Sequence, residues 1–175
     1  MTSNEIHKEE SSYRDNHGSV YYFKNKVIRT INYPAENNYK SLKNNNIYHD
    51  SIKSSFLINF EEINKNNFPE TLKNYNFLLE SELLPFISYP YEWTFDQLKD
   101  AALHHLNFQI FLLNKNCVLR DASAFNIQFI KGKPIFIDIL SLKKYEDGEY
   151  WIGYKQLCEN FLNPLLLGHL KSINH

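Results

Sequence analysis

Glycine is scarce, and its scarcity excludes much. The 175 residues hold five glycines, Gly18, Gly132, Gly148, Gly153 and Gly168, and no two of them form G-x-G. A Rossmann-type loop that would hold S-adenosylmethionine is therefore absent, as is a P-loop. There are two cysteines, Cys117 and Cys158, far apart and each in an apolar segment. That pattern fits buried free thiols rather than a disulfide framework. Charge of either sign is not in excess: the net charge is −1. No basic surplus is available to grip nucleic acid or an anionic membrane. No apolar run approaches the roughly 20 residues that span a bilayer. The polar start M-T-S-N-E-I-H-K-E-E has no signal-peptide core. A reducing cytoplasm is the expected location. Against these absences, 43% of the residues are hydrophobic and 15% aromatic. That composition can build one globular domain with a real core.

The chemistry concentrates in residues 119–141, L-R-D-A-S-A-F-N-I-Q-F-I-K-G-K-P-I-F-I-D-I-L-S. Residues 126–130 and 135–139 read as two short strands, with K-G-K-P as the turn between them. A hairpin brings its ends together, so Asn126 and Asp138 should be neighbours, with Asp121 on the loop leading in. An Asp, an Asn and a second Asp converging this way is the layout of a phosphoryl-transfer site. The loop Asp accepts the proton of a substrate hydroxyl, and the Asn and second Asp hold the magnesium ions that bridge nucleotide phosphates. A plainer reading uses the same residues: Asp121 caps a turn, Asn126 bonds local backbone, and Asp138 ends a strand.

Elsewhere the pattern gives order but little chemistry. Residues 1–12 should be loose. Residues 13–31 read as three strands separated by turns, and Arg29 is the basic residue best placed on the third, either a solvent-facing strand charge or a holder of phosphate oxygens. Residues 35–42 should begin a helix, with Glu36 a candidate partner for the strand base. Residues 48–55 read as a further short helix, and 56–63 and 75–80 as strands. Ser88-Tyr89-Pro90-Tyr91 is an extended connector, because a residue before proline avoids the helical region. Thr94 and Gln97 form a capping box ahead of a long helix. Phe95, Leu98, Ala102, Leu106, Ile110 and Leu113 are its expected buried stripe, and Ala101, Phe108 and Leu112 widen it, so the helix should be covered on most sides. The adjacent His104 and His105 should point to different faces. A last helical stripe runs through Tyr154, Leu157, Cys158, Phe161 and Leu162, with Asn163-Pro164 as a restart or kink.

Two resemblances attach to these residues. The loop resembles the H-R-D-x-x-x-x-N catalytic loop and following D-F-G of protein-kinase-like enzymes. The matching residues are Arg120-Asp121, Asn126 and Asp138; Leu119 stands in place of the histidine, and Ile139-Leu140 replace F-G. Residues 85–167, with P-F-I-S-Y-P-Y-E-W-T-F-D-Q-L-K-D-A-A-L, the loop and hairpin, and W-I-G-Y-K-Q-L-C-E-N-F-L-N-P-L-L-L, resemble the N-terminal region of a bacterial family. That family is labelled class I SAM-dependent methyltransferases, related to nodulation proteins. The resemblance implies an α+β, protein-kinase-like two-lobe fold. Residues 13–87 would be a lobe with a small antiparallel sheet, 88–93 a hinge reading adenine through its backbone, and 94–175 a partial helical lobe. It implies Asp121 as catalytic base, Asn126 and Asp138 as magnesium ligands, Arg29 as a contact to the phosphates of ATP, and no SAM site in this chain. The acceptor would be a small molecule or glycan. The partner would be a methyltransferase domain, or a second copy joined through the last helix. The rival readings are a non-catalytic module that positions a substrate or partner, and an inactive remnant.

Overall fold

The computed structural model describes residues 6–10 and 16–171. The strand and turn expected at 13–15 lie outside them. The chain forms two compact units, one of residues 1–44 and 59–85, the other of 45–58 and 86–175. Segment 45–58, which sequence order would assign to a first lobe, packs with the second unit.

The first unit is built on an antiparallel sheet in the order β1-β2-β3-β5-β4. Its strands are β1 (His7–Lys8), β2 (Val20–Phe23), β3 (Lys26–Thr30), β4 (Glu61–Ile63) and β5 (Leu78–Glu82). β1 falls inside the stretch expected to be loose. It pairs with Tyr21 and Tyr22 and so forms a short edge. Lys24 at positive φ makes the tight β2–β3 turn. Side chains alternate across β3, so Ile28 and Thr30 face one way and Val27 and Arg29 the other. Ile28, Leu72 and Leu78 form a core under the first face, with Phe23, Phe68 and Tyr75 packed against it. The other face meets α1 (Tyr33–Asn44), which opens on Pro34, a residue whose fixed φ suits a first turn. Register places Arg29 opposite Leu79, and Leu79 opposite Glu62. Glu62 accepts hydrogen bonds from Tyr39 and Lys43 of α1. Arg29 therefore shares the face that α1 crosses. A short helix, α3 (Glu70–Lys73), completes this unit.

The second unit centres on α4 (Phe95–Leu113). Thr94 caps it as expected: its hydroxyl accepts from Gln97 N–H at 3.2 Å, and the Gln97 side chain accepts from Thr94 N–H at 2.9 Å. The buried face differs from the expected stripe. Leu98 and Ala102 are buried, but Leu106, Ile110 and Leu113 are exposed, Ile110 by 57%. The inward side runs through Ala101, Phe108 and Leu112, the residues expected to widen the stripe, joined by His105 and Gln109. Aromatic packing decides this. Phe56, in the segment after α2 (Ile47–Lys53), stacks on Phe108 with centroids 5.2 Å apart, and Phe136 meets Phe108 edge-on. Residues 56–58 make no long strand. Their only strand-like pairing among the described residues is with Phe136, through Phe136 N–H to Phe56 O and Ile58 N–H to Phe136 O.

After α4, β6 (Cys117–Leu119) pairs with β9 (Leu142–Lys144), and β7 (Ile127–Ile130) pairs with β8 (Lys133–Phe136). The hairpin turn is two residues long, not four. Lys131 and Gly132 have φ of 52° and 76°. Two positive φ values match the hairpin turn whose twist suits the flanking strands. Pro134 consequently lies within β8. The chain closes with α5 (Tyr154–Leu157), a five-residue π turn at Cys158–Leu162, and α6 (Asn163–Lys171). Pro164 cannot donate to the fourth preceding carbonyl, and the wide turn before it accommodates the ring without ending the helix. Leu166, Leu167 and Leu170 of α6 stay exposed. Cys117 is buried, Cys158 half-buried, and both are free thiols. Among the described residues no helix is long and apolar enough to cross a membrane.

Candidate functional site

The loop from Leu119 to Asn126 is held by hydrogen bonds to several of its backbone groups. Leu119 N–H donates to Gln109 of α4, and Leu119 O accepts from the Trp151 indole at 2.9 Å. Arg120 N–H donates to Ser141 O at 2.7 Å. Ala122 N–H donates to Gln156 and Ala124 N–H to Asn160. Gln156 and Asn160 are four residues apart, one helical turn, so a single face of the closing helix clamps the loop. Nothing in the loop's own sequence signals this. The i, i+4 pair of amides in an otherwise apolar stripe was the available clue.

That clamping fixes where the polar side chains go. Asn126 Nδ2 donates to Asp121 Oδ1 at 3.0 Å, and Ser141 Oγ donates to the same oxygen at 2.8 Å. Asn126 thus bonds the Asp121 side chain rather than merely local backbone. The hairpin joins the far end: Ile137 N–H donates to Asn126 O at 2.8 Å, which puts Asp138 one residue beyond the Asn126 pairing position. Asp138 lies two residues beyond the end of β8 and caps a short 3₁₀ turn, Ile139–Ser141, its Oδ1 accepting from Leu140 N–H at 3.3 Å. That turn delivers Ser141 to Asp121. Asp121, Asn126 and Asp138 are all half-buried.

Two further side chains bear on this region: Tyr48, which no motif marks, and Arg120 of the Arg120-Asp121 pair. Tyr48 of α2 is buried, and its hydroxyl is pushed above the ordinary phenol range. Burial is the main cause, the negative charge of Asp138 adds to it, and Arg120 opposes it. Arg120 has its Nε buried with no hydrogen-bond partner. Among the described residues no three or more His, Cys, Asp or Glu side chains cluster in a way that could hold a metal. The set of two carboxylates and an amide is smaller than that, and its donors are all oxygens, which suit a hard cation such as magnesium.

The connector behaves differently from the expected adenine-reading hinge. Residues Pro90–Glu92 form a 3₁₀ turn. Ser88 N–H donates to Gln128 Oε1, and Ser88 O accepts from Gln128 Nε2. Tyr89 N–H donates to Glu92. The backbone groups that would meet a base are already engaged within the chain. Arg29 and Glu36 belong to the other unit. Glu36 is buried in α1 and accepts from Asn76 Nδ2 at 2.7 Å and from Lys40. His104 and His105 do point to different faces: His104 Nε2 meets Phe56 O at 3.0 Å, while His105 is enclosed by Phe136, Trp151 and Phe161.

The structure therefore defines an α+β chain with an Asp–Asn–Ser network on a clamped loop. In sequence the chain is related to a nodulation protein. It is 38% identical over 164 residues to nodulation protein NoeA of Rhizobium meliloti (strain 1021), a match covering 94% of this chain and 34% of that protein. The chain thus spans about a third of the length of the curated relative it matches. No family model matches it.

Proposed function

We propose that this chain is a kinase-like module of a nodulation-protein relative, transferring a phosphoryl group from magnesium–ATP to a hydroxyl of a small molecule or glycan. The observation that carries this reading is the pair of bonds from Asn126 and Ser141 to Asp121 Oδ1. Both donors converge on one oxygen. The carboxylate is thereby oriented, and Oδ2 is the oxygen that would take the acceptor's proton as general base. With its Nδ2 committed to Asp121, Asn126 keeps Oδ1 as the atom to face a cation. Asp138 would supply the second, charged oxygen donor. The metal, when bound, would neutralise charge on the transferring phosphates. Everything else asked of the chain is positioning, and the backbone clamps from Gln156, Asn160 and Trp151 favour it.

A second reading, a non-catalytic module that positions a substrate or partner, is favoured by the connector. Its Ser88 and Tyr89 backbone groups are occupied by Gln128 and Glu92. Thermal unfolding with ATP alone, magnesium alone and both together separates the two. The phosphotransfer reading expects a rise in Tm only when both are present. Its absence at millimolar nucleotide overturns that reading in favour of the second.

A further inference from the structure

The second unit contains a cavity of about 270 Å³ between the C-terminal half of α4, β6 and the loop at 145–152. Its walls are apolar: Leu113, Val118, Leu119, Tyr145, Trp151 and Ile152. The loop that closes it carries Tyr150, 93% exposed, and Ile152, 76% exposed. Large apolar side chains left in water beside a concave apolar wall are what a ligand site shows when empty of its ligand's contacts.

Charge in the cavity is unbalanced. Arg120, Lys143 and Glu149 all line it. Glu149 is fully engaged: one oxygen takes the Lys143 ammonium, and the other takes Glu146 N–H. Its carboxyl lies below the usual range, chiefly through Lys143, with Arg120 a lesser contributor. Among the lining residues two cations therefore face one carboxylate; the Asp138 carboxylate, which acts on Tyr48 together with Arg120, is not part of the lining. No ion pair among the described residues uses Arg120, and its Nε is buried without an acceptor. A buried guanidinium nitrogen with no partner is costly, and an anionic group would remove that cost. Arginine also suits a planar carboxylate, through paired donors.

We propose that this cavity binds a small amphipathic monoanion, an aromatic or short aliphatic carboxylate, with its apolar body against Leu113, Val118 and Trp151 and its charge on Arg120. The cavity is at the small end for ligand sites, which limits the body to one or two fused rings. This inference does not depend on phosphotransfer at Asp121.

The test is calorimetric titration of the chain with 1-naphthoate and with its uncharged counterpart 1-naphthamide. Wild type should bind the carboxylate at least about ten-fold more tightly than the amide, the scale of one charge-assisted hydrogen bond. Arg120→Met keeps the apolar stem and should bring the two affinities together. Ile152→Glu, on the exposed rim, should weaken naphthoate and spare naphthamide, and it keeps the test open if the arginine variant does not fold. Equal affinity for carboxylate and amide in wild type, or no binding of either up to their solubility, overturns the proposal. So does naphthoate binding that is unchanged in both variants.

Discussion

Acid should weaken this protein most strongly through one residue, His105, beside which burial also lowers the pKa of His104. His105 is fully buried in α4, and neither ring nitrogen has a hydrogen-bond partner. Its neighbours are the rings of Phe136, Trp151 and Phe161, at centroid distances of 5.8, 6.0 and 5.9 Å. Burial disfavours the imidazolium, and His104 adds to the effect, so the His105 pKa falls from 6.5 to about 4. The folded chain thus keeps this ring neutral where the unfolded chain takes up a proton. The stability it contributes is fully present above about pH 6.5 and is lost as pH falls towards 4. Between about pH 7.5 and 5, linkage with these two values gives a loss of about 2 kcal/mol, and about 3 kcal/mol at full protonation. His105→Phe keeps a ring of similar shape and removes both the titration and the unpaired nitrogens. Urea unfolding followed by tryptophan fluorescence at several pH values measures the difference. Wild type should lose about 2 kcal/mol more than the variant over that interval, and the variant should be the more stable at neutral pH. Parallel pH profiles for the two proteins would refute the reasoning.

Three other perturbations follow from particular contacts. Gln128→Leu strands the Ser88 N–H and carbonyl and should cost about 2 kcal/mol in chemical unfolding, since both bonds of a buried amide are lost. Gly153→Ala would place a Cβ 2.8 Å from the Trp151 indole. The ring must shift off Leu119 O, so tryptophan emission should change and stability fall by roughly 1–3 kcal/mol. The exposed Leu166, Leu167 and Leu170 of α6, with Leu106 and Ile110 of α4, predict self-association. Light scattering should show a species above monomer mass that Leu167→Lys/Leu170→Lys reduces; a concentration-independent monomer would contradict this.

What the sequence made legible was local. The Thr94 capping box, the β2–β3 turn and the hairpin after Asn126 each carry their signal within a few residues, and each is present, the hairpin with a turn shorter than its K-G-K-P run. The errors came from tertiary choices. Periodicity on α4 marked apolar residues on most sides, and only the packing of Phe56 and Phe136 on Phe108 decides which go inward. Segment 56–58 looked like a strand because it is apolar, yet its only strand-like pairing among the described residues is with Phe136. At the site, the closeness of Asn126 to Asp121 was readable from spacing. Gln156, Asn160, Ser141 and Trp151, which hold the loop, were not, because their contacts span up to 36 residues of chain.

The central claim is that Asp121, Asn126 and Asp138 form a magnesium–nucleotide site. Calorimetric titration of ATP with excess magnesium into wild type, Asp138→Asn and Asp121→Asn tests it most directly. The account predicts magnesium-dependent binding in wild type. It predicts loss of that binding in Asp138→Asn, where the charge that holds a hard cation is gone. It predicts near-normal binding without turnover in Asp121→Asn, which loses a base and not a ligand. Equal nucleotide affinity in wild type and Asp138→Asn, or no affinity in either, would contradict it.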